Sequence, residues 1–201
     1  MAAKQPLSSV AAASASWLQG SAAGAAGARA VPLSALWSAG PQQYTVLCFM
    51  RRLGCKLCRV LAQDMDKLRG EAGARTNVIC LSYESFGEGS DADRSFAAGR
   101  YFAGDMWQVD KAEVYSALFV KKGIMNGFGL GALISDKGGK VAESNARGVT
   151  GNLTGDGMQC GGIFVVARSG AVVLDHRQKF FGDDPSNEDI LDAIAAHAGD
   201  K

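Results

Sequence analysis

Cysteine is scarce, at five in 201 residues. That density is far below a disulfide scaffold, and an odd count leaves at least one thiol unpaired within the chain. No stretch approaches the ~18 consecutive apolar residues that a membrane span needs. Charge of one sign is also missing: 21 basic against 20 acidic residues give a net charge of +1, with no global field for nucleic acid or for cationic partners. No Gly-x-Ser-x-Gly elbow and no Walker lysine motif occur. Gly127-Phe-Gly-Leu-Gly131 does not complete a Gly-x-Gly-x-x-Gly, so a Rossmann nucleotide site is unsupported. No secretory signal is evident at the N-terminus. The expectation is a reducing compartment, cytoplasmic, with an organelle as the alternative if residues 1–30 are a transit segment.

The near-neutral total hides a split. Residues 1–63 contain no Asp or Glu and six basic residues, Lys4, Arg29, Arg51, Arg52, Lys56 and Arg59. Four of them crowd positions 51–59, around a pair of cysteines. Residues 1–30 are rich in Ala, Ser and Gly and read as a low-complexity extension, with a short first element at most near Ser16-Trp17-Leu18. The folded domain is expected over residues 31–201.

Tyr44–Met50 is an apolar, β-forming run after Gly40-Pro41 and reads as a buried central strand. Cys58, Leu61, Met65 and Leu68 then repeat at helical spacing, with Arg59 and the acidic residues on other faces and Gly70 and Gly73 as stops. Further strands are expected at Asn77–Ser82, Met106–Val109, Gly162–Ala167 and Ala171–Arg177, the last two joined by an Arg168-Ser-Gly170 turn. Helices are expected at 91–100, at 111–120 and, behind a Ser186/Asp189 capping box, at 188–198. Residues 123–162 read as glycine-rich loop. Strand–helix alternation followed by a hairpin predicts an α/β domain, a mixed central sheet flanked by helices.

Cys55-Lys-Leu-Cys58 opens the first long helix directly after the central strand. Spacing of three places both sulfurs on one side of the first turn. The helix N-terminus and the neighbouring cations favour a thiolate, so one thiol should titrate below the free value of ~8.5. Cys55, nearer the helix mouth and more exposed, is the expected nucleophile. Cys58, one turn in, is suited to resolving a disulfide. A zinc site is the weaker reading, because only His176 and His197 could add imidazole ligands and no second Cys-x-x-Cys occurs. Two plainer readings stand beside the redox one: ordinary core thiols, and a solvated face of positive charge. Cys160 precedes Gly161-Gly162 at a strand entry that would face the pair, as a passive pocket residue or a third thiol. The two glycines suit close backbone approach. Cys48 and Cys80 read as core. His176 reads as a core or edge residue, and His197 as a helix-end residue.

Arg51-Arg-Leu-Gly-Cys-Lys-Leu-Cys-Arg59 with Ala62-Gln-Asp64, Tyr101-Phe-Ala-Gly104, Gly151-Asn-Leu-Thr-Gly-Asp156 with Gln159-Cys-Gly-Gly162, and Gln178–Asp183 together resemble the peroxiredoxin-like 2 family, a prostamide/prostaglandin F synthase-like branch of the thioredoxin-like superfamily. The resemblance spans roughly residues 31–196. It implies a thioredoxin-like fold and a Cys-x-x-Cys oxidoreductase with Cys55 and Cys58 as the redox pair. Its substrate would be a small peroxide: a prostaglandin endoperoxide, or a lipid or alkyl hydroperoxide. No tightly bound cofactor is implied. NADPH is the implied ultimate electron donor, reached through an unconventional site or a separate thioredoxin-type reductant. Cys160 stands where that family has Ser, which leaves open a three-thiol variant or an altered pocket. Arg51, Arg52, Gly54, Cys160, Gly161 and Gly162 are the expected site-lining residues. The alternatives in function are a general protein thiol–disulfide oxidoreductase and a non-enzymatic redox sensor.

Overall fold

The structure, a computed structural model, describes residues 4–19, 30–84, 96–122, 137–152 and 156–199. Seven strands form one sheet: β1 (Ser14–Gln19), β2 (Ala30–Pro32), β3 (Tyr44–Phe49), β4 (Thr76–Ser82), β5 (Asp105–Val109), β6 (Gly162–Ala167) and β7 (Val172–Arg177). Their spatial order is β2-β1-β5-β4-β3-β6-β7. The β3–β4 and β4–β5 pairs are parallel and the other four are antiparallel. The mixed sheet expected from the sequence is present.

Every residue of β3 and β6 is buried, because these strands are covered on both faces. Alternation along them feeds two cores. Val46, Cys48, Val78, Cys80, Ile163 and Val165 pack on one side under α2 (Lys56–Glu71). Leu47, Phe49, Ile79, Leu81, Phe164 and Val166 pack on the other side with Leu36, Trp37, Val114, Tyr115 and Phe119. Leu36 and Trp37 belong to the single turn α1 (Ala35–Ser38). Val114 and Tyr115 belong to a π-helical segment, Lys111–Tyr115, which runs into Ser116–Leu118.

The expected stripe of α2 is buried, but Arg59 is buried with it. Its placement on an outer face is therefore corrected. Two residues of backbone carbonyl and one ring receive it, as described below.

The sheet begins inside the segment read as an extension. β1 sits between β2 and β5, and Leu7, Val10, Ala13 and Ala15 are buried in the second core. A second correction concerns the loop-rich stretch, which contains the helix α3 (Lys137–Ala146). No apolar stripe announces it, since Val141 is exposed and Ser144 is buried. Polar contacts hold it to α2: Arg147 to Asp64 at 2.8 Å, and Lys56 Nζ to Asn145 Oδ1 at 2.6 Å. Residues 91–95 of the expected 91–100 helix, and Gly127 to Gly131, lie outside the described residues.

The last helix, α4 (Asn187–Gly199), starts as expected: Ser186 Oγ accepts from the Asp189 N–H at 3.1 Å, and Asp189 Oδ2 accepts from the Ser186 N–H at 2.9 Å. No helix among the described residues is long and apolar enough to cross a membrane.

Candidate active site

The site lies where β3 ends and α2 begins. Cys55 is the residue just before α2, with extended backbone, and its carbonyl accepts the Arg59 N–H at 3.0 Å. The Arg52 carbonyl accepts the Cys55 N–H at 3.2 Å, closing the turn that carries the motif. The Leu53 N–H donates to Glu84 Oε2 at 2.8 Å, which fixes that turn against the end of β4.

The two sulfurs face each other. The Cys58 thiol donates to Cys55, and this contact is the largest influence holding Cys55 well below the usual thiol range. Burial opposes it. Arg51 and the N–H groups of Leu57 and Cys58, at the helix mouth, support it. The same contact, with burial, pushes Cys58 up. The pair is thus polarised into a thiolate at Cys55 and a thiol at Cys58.

Both are nevertheless shielded, with Cys55 7% and Cys58 3% exposed. Cys55 is the more open of the two, but less so than its place at the helix mouth leads one to expect, because loops from elsewhere in the chain cover it. Gly151 packs so closely on the start of α2 that a Cβ there would lie 2.9 Å from the Lys56 nitrogen and 3.0 Å from the Gly54 oxygen. The Gly54 carbonyl also accepts the Asn152 N–H at 2.8 Å.

The solvated-face reading of the positive cluster fails for three of its four members. Arg51, Arg52 and Arg59 are 4%, 7% and 1% exposed, and only Lys56 bonds at the surface. The Arg51 guanidinium donates to Cys55 Sγ at 2.9 Å and to the Gly157 carbonyl at 3.0 Å, and lies 3.8 Å from the centre of the Phe181 ring. Arg59 donates to the Leu53 carbonyl at 2.9 Å and the Thr150 carbonyl at 2.8 Å, and its guanidinium carbon lies 5.1 Å from the centre of the Tyr101 ring. It ties the turn before the motif to the loop that covers it.

Gly161 and Gly162 are the described glycines that approach neighbouring backbone most closely. A Cβ on Gly161 would lie 2.0 Å from the Phe49 oxygen, and one on Gly162 2.4 Å from the His176 oxygen. Gln178 straps the strand entry, accepting the Gly161 N–H at 2.9 Å and donating to Asp184 at 2.7 Å. Cys160 packs in the second core, on the other side of the sheet from the pair, and burial pushes its thiol up. Arg51 is near enough to act on its charge. The histidines are engaged elsewhere: His176 with the Asp183 carbonyl at 2.8 Å and His197 with the Tyr44 hydroxyl at 3.1 Å.

Sequence reasoning missed Gly157, Phe181, Glu84, Thr150 and Gln178. Gln178 and Phe181 fall in a segment quoted for the family resemblance, but no spacing rule links any of the five to the cysteine pair.

A parallel β3–α2–β4 unit with a Cys-x-x-Cys at its strand–helix junction, extended by antiparallel strands, defines a thioredoxin-like fold of the peroxiredoxin kind. Solved structures agree: Xylella fastidiosa PrxQ superposes with a TM-score of 0.56 at 15% identity, over 98% of this chain and 95% of that one. The Xanthomonas campestris bacterioferritin comigratory protein gives 0.55 at 16% identity, over 95% of each chain.

The chain belongs to the AhpC/TSA antioxidant enzyme family, whose profile matches residues 59–179, and is homologous to the prostamide/prostaglandin F synthases. The synthase of Sus scrofa is 35% identical over 84% of this chain and 81% of its own length, and that of Homo sapiens 33% identical over 84% and 82%. The profile match starts at Arg59, immediately after the cysteine pair.

Proposed function

We propose that the chain reduces an O–O bond in a lipid or alkyl hydroperoxide or an endoperoxide. The observation that carries the reading is the polarised pair, a Cys55 thiolate held by Arg51 with a protonated Cys58 against it. Cys55 Sγ attacks one peroxide oxygen. An S–O bond forms, the O–O bond breaks, and the second oxygen leaves as an alkoxide that takes up a proton. Arg51, a fixed cation beside the sulfur, stabilises that departing charge. Cys58 then attacks Cys55 Sγ. The S–S bond forms as S–O breaks, expelling the first oxygen as water or alcohol. The substrate gains two electrons and the pair becomes a disulfide. For an endoperoxide both oxygens stay on one molecule, giving a diol, in keeping with the named activity of the relatives.

The disulfide is reset by a thioredoxin-type reductant drawing ultimately on NADPH, since no dinucleotide fingerprint occurs in the sequence.

Anaerobic stopped-flow oxidation of the reduced protein by hydrogen peroxide, cumene hydroperoxide and a lipid endoperoxide, with mass analysis of the Cys55–Cys58 peptide, tests this. One disulfide per peroxide consumed is expected. Cys55→Ser abolishes turnover, and Cys58→Ser completes one stoichiometric round and stalls. Full activity in Cys55→Ser refutes the assignment. Reduction of insulin disulfides with inertness to every peroxide makes the protein a general thiol–disulfide oxidoreductase instead.

A further inference from the structure

Arg51 supplies the fixed charge beside the Cys55 sulfur, and three contacts hold it there. Two are hydrogen bonds, to Cys55 Sγ and to the Gly157 carbonyl. The third is a ring: the guanidinium carbon lies 3.8 Å from the centre of the buried Phe181 ring, over its face. That separation is van der Waals contact.

Phe181 is placed without help from the arginine. Asp183 closes the turn that carries it, its carboxylate accepting the Lys179 N–H at 2.8 Å and its N–H donating to the Phe180 carbonyl at 3.2 Å. Gly182 takes the left-handed conformation, φ 83°, that lets the chain reverse there. Gln178 anchors one end of the turn to Gly161, through both its side chain and its N–H, and reaches across to Asp184, which pairs with Lys140 at 3.4 Å. The turn also rests on the redox helix: a Cβ on Gly182 would lie 3.4 Å from Leu57, inside the Cys-x-x-Cys motif.

Holding a long side chain in one conformer costs rotamer entropy, and Arg51 is nearly sealed from the water that would solvate its charge. The electron-rich face of an aromatic ring attracts a desolvated cation without using up its N–H groups. Those groups stay available for the sulfur and the carbonyl. The ring is also a partner that persists through turnover, since Cys55 in a disulfide carries no charge to hold Arg51. We propose that Phe181 is a positioning residue for the reaction, its ring face keeping the Arg51 guanidinium against the Cys55 sulfur. The inference rests on the O–O reading above only for what the thiolate attacks.

The test is alkylation of the full reduced chain by iodoacetamide across a pH series, with the Cys55 peptide quantified by mass. Phe181→Leu keeps apolar bulk but removes the ring face. The inflection of its pH–rate profile should rise by about half a pH unit or more, roughly a threefold loss in rate below the inflection. Phe181→Tyr keeps the face and should hold the parent inflection. A ring-fluorinated phenylalanine at position 181 keeps the shape but drains the face of electron density, and should move the inflection in the same direction as Phe181→Leu. That form decides the matter if circular dichroism shows Phe181→Leu to be unfolded. A pocket that is merely loosened changes the rate at every pH and leaves the inflection in place. An inflection unchanged in either the folded Leu or the fluorinated form, or one moved as far by Tyr as by Leu, overturns the proposal. Because no peroxide enters the assay, failure to reduce O–O bonds and failure of the ring to position Arg51 are read separately.

Discussion

At the scale of single residues, the chemistry turns on how Cys55 is kept ionised. The Cys58 contact, Arg51 and two backbone N–H groups all lower its pKa. A lowered value keeps the thiolate populated as pH falls below the free-thiol value of ~8.5. Alkylation should therefore stay fast down to that lowered pKa and decline only below it. Replacing Arg51 with Met should move the inflection upward. If the pKa returns all the way to ~8.5, only about 3% of the thiol is ionised at pH 7, roughly a thirtyfold loss in rate. An unchanged pH profile would remove Arg51 from this role. The cysteine pair and its place at the strand–helix junction were legible, because the apolar run of β3 leads straight into the helical spacing of α2. The arginine contact was not, because its second anchor, Gly157, lies 106 positions further on.

At the scale of elements, packing is tightest where β6 enters the sheet. Gly161→Ala drives a methyl group against the Phe49 carbonyl. Overpacking of this kind costs about 3 kcal/mol, or roughly 6–12 °C in Tm for a chain this size. Thermal denaturation checks it. The need for small residues at 161 and 162 was readable from the Gly-Gly pair, whereas what they accommodate was not.

The loop bearing Gly157 has its own clamp. Asp156 receives Lys111 at 2.6 Å and Lys121 at 3.0 Å, and accepts the Met158 N–H at 3.0 Å. Burial pushes its carboxyl up, but these three partners outweigh burial and hold it below the usual carboxylate range. A lowered folded-state pKa adds stability that is complete above the unfolded value of ~3.9 and is lost as pH falls through the folded one. Asp156→Asn should therefore lower Tm by roughly 2–4 °C at pH 7, for a loss of about 1 kcal/mol. The gap between variant and parent should close in strong acid, and a pH-independent gap would contradict the account. The α3 helix shows why this region was opaque in sequence: it is held by ion pairs and amide contacts, and hydrophobic periodicity does not register those.

At the scale of the whole molecule, the main departure from the sequence reading is the N-terminal boundary. The element expected near Ser16-Trp17-Leu18 is β1, but the Ala-Ser-Gly composition around it hides how much of the segment is folded, since its burial depends on small residues such as Ala13 and Ala15. A chain beginning at residue 31 loses the strand between β2 and β5 and the buried Leu7 and Val10. It exposes the edge of β5 as an unpaired template. We expect that truncation to aggregate or melt far below the full chain, as light scattering and calorimetry would report. The alternating strands from residue 44 onward were readable because a two-sided sheet writes its burial directly into sequence.

All five cysteines are reduced and buried, and Cys48 stands directly beside Cys80 on neighbouring strands, thiol against thiol. A bench assay with a colorimetric disulfide reagent will consequently under-count this protein while it is folded, registering two quick equivalents, since Cys58 displaces the reagent from Cys55, and the remaining three only after denaturant is added. Any preparation judged partly oxidised by such an assay on native material would be misjudged.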